Sequence, residues 1–369
     1  MKLKCFLVEQ WMTDHENDCR YNLTDTCVEP LSISQLEQLT DCSLMDTIAS
    51  MPLDYGPIVG SDDLRQSILS LYTTGDIDNI AITQGTNNAN ELVMMTLLEA
   101  GDHIISMTPT YQQFYELPAM LGCSYDLVSL DEENGWKADV ESFIALINNQ
   151  TKMIILNSPN NPTGTSFDDE WLKTLIDACR ERQIYILIDE IYRGLADKTP
   201  SSIADLYEYG IATASLSKLY SVAGLRIGWI KASHQVIDNI NQMRNYTIIS
   251  TGLLSDFLGT HVLKNKELIL ARSRAIVNQN KDNLKAYLTH EKRLSCVIPE
   301  DGTVGFLHYH FDMDSTTLAE TLQKETGIFF VPGSCFDKEY HLRIGFTRDP
   351  EMTLAGLKRL SQWMDEHHY

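Results

Sequence analysis

From about residue 80 onwards, short apolar runs of the chain alternate with amphipathic stretches of helical length. The apolar runs are rich in β-branched residues and are IAIT (80–83), HIISM (103–107), MIILN (153–157), IYILID (184–189) and ATASL (212–216). Runs that are apolar throughout, separated by helices of about ten or more residues, are typical of a mostly parallel sheet covered on both faces. The sequence therefore predicts an α/β fold, with ligands bound at the carboxyl ends of the strands.

The C-terminal part of the chain has a different pattern, with the strand-like strings GFLHYHF and HLRIGF. Four helices are predicted there, at 236–262, 264–291, 315–326 and 350–367. This mixture indicates a smaller α+β domain, completed by the N-terminal segment. We therefore expect a large domain over residues 46–245 and a small domain formed by residues 1–45 and 246–369.

The composition of the 369-residue chain argues against nucleic acids and membranes as binding partners. It has 51 acidic side chains against 29 basic ones, a formal net charge of −22. Such a surface repels phosphate backbones and anionic lipids, so neither nucleic acid nor a membrane is an expected partner. No apolar stretch reaches the length of a signal-peptide core or a membrane span. The eight cysteines form neither CxxC pairs nor Cys/His clusters at zinc spacing, which predicts reduced thiols in the cytoplasm and no metal site.

The string SLSKLYSVAGLRIGW (215–229) has a lysine directly after a strand-like run and an arginine eight residues later. If Lys218 is partly buried, its pKa should fall, and it could act first as a nucleophile and then as a general base. Arg226 is a permanent planar cation suited to a phosphate, and Ser215 and Ser217 add hydroxyl donors. Taken alone, the string is equally compatible with a surface lysine and with an arginine that starts a strand.

Three further strings follow or end strand-like runs. SPNNPTG (158–164) is, on its own, an ordinary Asn/Pro/Gly turn. LIDEIYRG ends a strand in Asp189, whose buried carboxylate would need a cation such as a protonated pyridine nitrogen; the plainer alternative is a helix cap. QGTNNA (84–89) lies between a strand and a helix, where free N–H groups and the helix dipole favour a phosphate.

Together and in this order, these strings resemble the class I/II, fold-type I family of pyridoxal 5′-phosphate (PLP) aminotransferases over nearly the whole chain. The resemblance implies a large domain with a mostly parallel central sheet wrapped by helices, beside a smaller α+β domain. It also implies that one set of residues surrounds the cofactor phosphate: Gly85, Thr86, Asn87, Ser215, Ser217 and Arg226.

The same resemblance implies contacts to the rest of the cofactor. Tyr111, in TPTYQQF, matches the aromatic residue that stacks on the ring, and Asn161 and Tyr192 match the donors to the 3-hydroxyl. Asp189 matches the partner of the pyridine nitrogen, and Lys218 matches the lysine that holds PLP as a Schiff base. In the implied chemistry PLP is the electron sink, and Lys218 removes the α-proton of an external aldimine to give a quinonoid.

Two residues are implied to contact the substrate and a second subunit. Arg343, in HLRIGF, matches the arginine that clamps the substrate α-carboxylate, with Asn161 beside it. Tyr55, in DYGPIVG, matches a tyrosine that reaches the phosphate bound by the neighbouring subunit. A homodimer that acts on a free L-amino acid is therefore expected.

The N-terminal segment departs from the pattern of ordinary family members. Where they carry a glycine-bearing strand near the substrate carboxylate, this chain has NLTDTCVEPLS (22–32), without glycine, after an acidic stretch. In this respect it resembles the branch of capreomycidine-synthase-like proteins and PLP-dependent arginine oxidases (hydroxylases and desaturases), whose members handle arginine or its derivatives. A guanidinium would need carboxylates and a stacking surface, although each acid here is equally compatible with a solvated face. The candidates are Glu9, Glu16, Asp18, Asp25 and Trp11.

The sequence leaves the reaction open between two outcomes. An arginine oxidase would pass electrons to dioxygen, whereas a conventional aminotransferase would pass the amino group to a 2-oxo acid. From another class, the string SLSK (215–218) satisfies the SxxK signature of penicillin-binding serine hydrolases, but the SDN and KTG elements are absent from the sequence. The joint presence of Lys218, Asp189 and Arg343 argues against an inactive descendant.

Overall fold

A computed structural model describes residues 4–369 of the chain. The α-helices within that range are α1 (Leu7–His15), α2 (Ile33–Thr40), α3 (Met45–Ser50), α4 (Asp62–Leu69), α5 (Thr86–Leu97), α6 (Gln113–Leu121), α7 (Val140–Ile144), α8 (Asp169–Arg180), α9 (Ile203–Leu206), α10 (His234–Arg244), α11 (Leu253–Lys264), α12 (Lys266–His290), α13 (Ser315–Thr326) and α14 (Pro350–Glu366). Short 3₁₀ helices lie at Ile77–Asn79, Ala223–Leu225 and Gly333–Phe336. The strands are β1 (Tyr21–Asn22), β2 (Ile80–Thr83), β3 (His103–Thr108), β4 (Ser124–Ser129), β5 (Thr151–Asn157), β6 (Tyr185–Asp189), β7 (Gly210–Ser215), β8 (Gly228–Lys231), β9 (Leu294–Cys296), β10 (Val304–Tyr309), β11 (Ile328–Phe329), β12 (Val331–Pro332) and β13 (His341–Gly345).

A seven-stranded sheet with the order β2-β8-β7-β6-β5-β3-β4 forms the centre of the molecule. All neighbouring strands are parallel except β8, which runs antiparallel to both β2 and β7. Strand β7 is buried at every position, as expected when helices cover both faces of a sheet. The predicted α/β fold with a mostly parallel sheet is confirmed.

The sequence pattern does not predict two strands of this sheet. Strand β4 lies at the edge, and its polar residues Ser124, Asp126 and Ser129 are exposed, so it lacks a continuous apolar run. Strand β8 follows a reversal of the chain, in which a 3₁₀ helix is capped by Arg226 in the left-handed conformation (φ +52°). This reversal explains why β8 re-enters the sheet antiparallel to β7.

The C-terminal part contains a four-stranded antiparallel sheet with the order β12-β13-β10-β9. Strands β10 and β13 are the predicted strand pair, and His308 lies directly opposite His341. Strand β1 pairs in parallel with β11, so the N-terminal segment contributes to this part of the molecule. Farther along that segment, the Val28 N–H donates to the Lys218 carbonyl (2.9 Å) and the Glu29 N–H to the Thr347 carbonyl (3.0 Å). The segment therefore connects the two sheets.

One predicted helix is wrong, because residues 236–262 form the two helices α10 and α11 with a loop at 245–252. The loop contains the string TIIST, whose β-branched side chains favour helix weakly. The buried guanidinium of Arg244 donates to the Ile249 carbonyl of this loop (3.2 Å). The helix predicted at 264–291 corresponds to α12.

The division into a large domain (46–245) and a small domain (1–45 with 246–369) stays a prediction. The central sheet lies between residues 80 and 231, and the four-stranded sheet lies between residues 294 and 345. Among residues 4–369, no helix has both the length and the apolar character that a membrane span requires.

Candidate active site

A cavity of about 580 Å³ lies at the carboxyl ends of the central strands. Asn87, Tyr111, Asn161 and Ser217 line it just beyond β2, β3, β5 and β7, and Asp189 lines it at the end of β6. We call one part of its lining the sheet wall, formed by Thr86, Asn87, Asp189, Ser217, Lys218 and Arg226. We call the other part the α1 wall, formed by Glu9, Met12, Glu16, Asp25, Arg343 and Arg348.

Lys218 lies three residues beyond the end of β7 and is partly buried. Its Nζ donates to Thr26 Oγ1 (2.7 Å) and lies 3.5 Å from Cys27 Sγ. Burial lowers the pKa of this ammonium, but Cys27, Tyr192 and Asp25 raise it, and the pKa lies above the ordinary value of a lysine. The expectation of a lowered pKa is therefore wrong, because the acidic groups around the amine outweigh its burial.

Asp189 is the last residue of β6 and is buried. Its carboxylate accepts hydrogen bonds from Asn90 Nδ2 (2.8 Å) and from the Ile191 N–H (3.0 Å). Burial raises the pKa of Asp189 to about 7, although both hydrogen bonds and the charge of Lys218 lower it. A buried carboxyl group without an ion-pair partner is costly, so this position fits a ligand that brings a cation, as a protonated pyridine nitrogen would.

The start of α5 forms a cradle for an anion. Gly85 caps the helix with φ +82°, and a Cβ atom there would lie 2.5 Å from Arg226 Nη2, so glycine gives the guanidinium room. Thr86 Oγ1 is buried and has no hydrogen-bond partner within the described part of the chain. Arg226 Nη1 lies 3.5 Å from Ser217 Oγ. Free helix N–H groups, an unused hydroxyl and a guanidinium together fit a phosphate.

Two predicted aromatic contacts line the same cavity. The Tyr111 hydroxyl donates to Glu9 Oε1 (2.6 Å) and accepts from Asn87 Nδ2 (3.4 Å). Burial raises the pKa of Tyr111, and the Glu9 carboxylate raises it further. Tyr192 is buried, and burial likewise raises its pKa. Both hydroxyls therefore keep their protons at neutral pH and can act as hydrogen-bond donors.

The side chains of two predicted site residues do not line the cavity. Ser215 Oγ accepts a hydrogen bond from the Ser217 N–H (3.2 Å), so it supports the backbone turn instead of facing the cavity. Tyr55 is 65% exposed and lies outside the cavity. A role for Tyr55 at a phosphate would therefore require a second copy of the chain.

Arg343 comes from β13 and is buried. Its Nε donates to Thr24 Oγ1 (3.1 Å), and Nη1 lies 3.4 Å from Asn161 Oδ1. Its Nη2 meets only the thioether of Met12 (3.7 Å), and none of the described carboxylates forms an ion pair with it. A buried guanidinium without a carboxylate partner is a site for an anionic ligand, and Asn161 stands beside it.

The carboxylates of the α1 wall differ in how far they are already used. Glu9 accepts from Tyr111, and Asp25 lies 3.7 Å from Arg348, which also approaches Glu29 (3.5 Å). Glu16 forms no side-chain hydrogen bond or ion pair within residues 4–369 and lines the cavity. Glu16 is therefore the carboxylate of this wall that is free for a ligand.

Two candidates for guanidinium binding fall outside the cavity, whereas several residues that line it were not predicted. Trp11 Nε1 donates to the Phe330 carbonyl (2.9 Å), and Asp18 does not line the cavity either. The unpredicted lining residues include Met12, Thr26 and Arg348. Another is Asn90, which holds Asp189 and accepts from Thr213 Oγ1 (2.6 Å). Its signal was a polar residue one turn after Thr86 on the same helix face.

Comparisons with known proteins give a family match and several similar proteins. The family model for aminotransferase class I and II matches residues 36–360. A crystal structure of a PLP-dependent aminotransferase from Streptococcus suis is 37% identical, covers 99% of each chain and superposes with a TM-score of 0.96. Capreomycidine synthase from Streptomyces vinaceus is 23% identical over 98% of this chain and 94% of that protein. Aspartate aminotransferase from Pyrococcus horikoshii is 26% identical over 84% of this chain and 83% of that protein.

Proposed function

The chain belongs to the aminotransferase class I and II family of PLP-dependent enzymes, and we propose that it oxidises L-arginine with dioxygen. The observation that carries this proposal is the α1 wall, where the free carboxylate of Glu16 shares a cavity with Arg343 and Lys218. The similarity to capreomycidine synthase, whose branch the N-terminal segment also resembles, supports it.

The sheet wall is compatible with three functional groups of PLP: the aldehyde, the pyridine nitrogen and the phosphate. We propose that Lys218 binds the aldehyde carbon, that Asp189 faces the pyridine nitrogen, and that the cradle of Thr86 and Arg226 takes the phosphate. Bound PLP withdraws electrons from the α-carbon of an amino acid. The Lys218 amine would serve as the base that accepts the α-proton of the substrate.

The α1 wall fits an amino acid that carries a second, cationic group. Arg343 and Asn161 would hold the α-carboxylate, the first with a bidentate pair of N–H donors. Glu16, which is exposed, would accept from a guanidinium, and an ion pair at an exposed carboxylate contributes about 0.2–1 kcal/mol. An uncharged side chain of similar length would leave Glu16 unpaired, so the enzyme should discriminate against it.

The oxidation removes two electrons and two protons from arginine and reduces one dioxygen to hydrogen peroxide. The test is oxygen uptake and peroxide formation with L-arginine, norleucine and aspartate, each with and without 2-oxoglutarate. We expect uptake with arginine alone, independent of the 2-oxo acid. Amino transfer from glutamate or aspartate without oxygen uptake would reject the oxidase and leave a conventional aminotransferase.

A matched pair of variants tests the role of Glu16. Glu16→Gln keeps the shape and removes the charge, so KM for arginine should rise by up to about fivefold. The control is Asp14→Asn, on the same helix, whose carboxylate accepts from Gln10 (2.9 Å) and does not line the cavity. Equal effects of the two substitutions would remove Glu16 from the substrate site.

A conventional aminotransferase acting on a dicarboxylic amino acid is the second candidate function. Arg348 favours it, because this guanidinium lines the α1 wall and its contacts to Asp25 and Glu29 are long enough to be exchanged for a substrate carboxylate. The similarity to aspartate aminotransferase is compatible with the same reading. A serine hydrolase finds no support, since Ser215 Oγ is bound to the Ser217 N–H.

We further propose a homodimer in which Tyr55 serves the partner's phosphate site. Tyr55 lies among exposed apolar side chains, and Ser250 Oγ donates to its carbonyl (2.9 Å), which joins two chain segments into one surface. The other exposed apolar residues of these segments are Leu53, Ile58, Val59, Tyr246, Ile249 and Leu254. A cluster of this kind on a strongly charged protein indicates an interface.

Mixed dimers test this arrangement. If Tyr55 acts across the interface, a dimer of one Tyr55→Ala chain and one Lys218→Ala chain has one intact site and regains wild-type PLP affinity there. If Tyr55 acts within its own chain, or not at all, mixing restores nothing beyond the Tyr55→Ala value. A fully active monomer in sedimentation would reject the dimer itself.

We propose that the enzyme works in the cytoplasm. All eight cysteines lie in the described part of the chain, and none of them is in a disulfide there. Free thiols in this number are typical of a reducing compartment.

A further inference from the structure

Three potential metal ligands from three chain segments meet away from the cavity. His308 and His341 are cross-strand partners on β10 and β13, and their rings stack with centroids 4.4 Å apart. Glu132 follows β4 and reaches both of them: its Oε2 lies 2.9 Å from His308 Nδ1 and 3.1 Å from His341 Nε2. The three ligand atoms all lie within 4.8 Å of one another.

The hydrogen-bond roles at His341 leave a place for a cation. The Glu339 carbonyl can only accept, so His341 Nδ1, 2.7 Å away, must carry a hydrogen. In neutral His341 the Nε2 lone pair then faces Glu132 Oε2, which is also an acceptor. The imidazole is buried, so two facing acceptors are costly there unless a positive charge lies between them.

A metal ion can take the place of the protons in this cluster. Protons on His341 Nε2 and His308 Nδ1 would each be donated to Glu132 Oε2, whereas one ion can bind all three side chains. With metal–nitrogen bonds of about 2.0–2.1 Å, the ligand atoms of a tetrahedral site are about 3.3 Å apart, close to the two observed separations. Two imidazoles and one carboxylate are ligands that Zn²⁺ accepts readily.

The surroundings have the properties of a supporting shell. The contact of His341 Nδ1 with a backbone carbonyl fixes the ring, as is usual for metal-bound histidines. The buried Trp136 packs edge-on against His341 (5.4 Å) and holds the turn that carries Glu132. The side chains of His308 and Glu132 are 29% and 21% exposed, so water could complete the coordination from solvent.

We propose that Glu132, His308 and His341 form a binding site for a divalent transition-metal ion, with Zn²⁺ as the best fit. The sequence predicts no metal site because the three ligands lie far apart along the chain. A bound ion ties the turn after β4 to β13, the strand that carries Arg343.

The test uses the PLP-loaded enzyme after treatment with EDTA, titrated with ZnCl₂ in a calorimeter and with CoCl₂ in a spectrophotometer. Wild-type protein should bind one ion per chain, give the visible spectrum of tetrahedral cobalt and unfold several degrees higher with zinc, a shift of roughly the size expected for tight binding. Glu132→Gln and His308→Gln should each weaken binding by about 100-fold or more.

The control is His234→Gln, in an exposed pair with Asp76 that has the same kind of contact (3.0 Å) but no second histidine. This variant should bind zinc as the wild type does. Absence of ion uptake by the wild type would overturn the proposal. Uptake that persists in both Glu132→Gln and His308→Gln would overturn it as well, and His308→Gln decides alone if Glu132→Gln does not fold.

Discussion

The two walls of the cavity are built in different ways. Residues of the sheet wall follow β2 and β7, end β6 or precede the antiparallel β8, and these four strands are neighbours in one sheet, so the strand order brings the residues to one edge. The α1 wall combines a helix, the segment around Asp25, and Arg343 and Arg348 from the C-terminal part. The first wall depends on backbone topology and the second on side-chain contacts between distant segments. The difference teaches that substitutions in one wall need not disturb the other.

The largest expected effect comes from removing Lys218, the proposed covalent anchor in the sheet wall. Lys218→Ala should lower turnover by about 10⁴-fold or more, because it removes both the nucleophile and the base. Borohydride followed by mass spectrometry of peptides should find PLP fixed to the wild-type chain at Lys218 and not to the variant. The exposed Lys173→Ala serves as a control. Cofactor that is still fixed in the Lys218→Ala chain would contradict the assignment.

A second effect on the sheet wall appears in the pH dependence of stability without cofactor. The pKa of Asp189 is about 7 in the folded chain against an ordinary 3.8, so folding favours the protonated form. The contribution of Asp189 to the free energy of unfolding is present in full below about pH 4. It is lost as the pH rises through about 7, and the loss is up to about 4 kcal/mol. Urea unfolding of the apoenzyme should show this loss, and Asp189→Asn should not.

In the loaded enzyme, Asp189→Asn should retain PLP and lose about 10²–10³-fold in kcat. The reason is that the cofactor loses the charge partner that stabilises developing negative charge. Glu190→Gln is the control, since this neighbouring carboxylate is also buried but is bound to Ser202 and Arg193. Wild-type turnover in Asp189→Asn would remove Asp189 from the cofactor.

Substitutions in the α1 wall should change kcat/KM and leave the affinity for PLP unchanged. Arg343→Lys keeps the charge but loses the planar fork, so kcat/KM should fall by about 30–100-fold while PLP affinity stays unchanged. Arg359→Lys, at a surface ion pair with Glu366 (3.2 Å), should change neither. A loss of PLP affinity in Arg343→Lys would break the separation of the two walls.

The smallest expected effect concerns the unused hydroxyl in the cradle. Thr86→Val should leave the stability of the apoenzyme nearly unchanged, because Oγ1 has no partner among the described residues. It should weaken PLP binding by about tenfold, measured by cofactor titration. Thr110→Val is the control, because Thr110 Oγ1 donates to Asn160 Oδ1 (2.8 Å). This substitution should lower the free energy of unfolding by about 1–2 kcal/mol and leave the affinity for PLP unchanged.

The sheet wall could be predicted from the sequence for a physical reason. Buried parallel strands require continuous apolar runs, and the polar residues that follow them must meet at one edge. This pattern singled out the strings that contain Lys218 and Asp189, and the resemblance to the aminotransferase family gave these residues their roles. Ser215 was predicted to contact the phosphate, but its hydroxyl accepts from the backbone of the turn. The spacing of Ser215 and Ser217 does not tell which hydroxyl faces the cavity and which holds the turn.

The α1 wall could not be derived in the same way. Met12 and Thr24 contact Arg343 from more than three hundred positions away in sequence, and no periodic pattern records such a contact. The pKa of Lys218 was misjudged for a related reason, since Cys27 and Asp25 reach it from the same segment. The cluster of Glu132, His308 and His341, which also spans distant segments, was not predicted either.

The pairing of the N-terminal segment with both sheets has a consequence for the order of events on the ribosome. Val28 can form its backbone hydrogen bond only after Lys218 has been synthesised, and Glu29 can form its own only after Thr347. The segment therefore lacks its partners for most of the elongation time. At about 5–20 residues per second, this time is on the order of tens of seconds. Only when the last helices leave the ribosome can the oldest residues close the catalytic cavity.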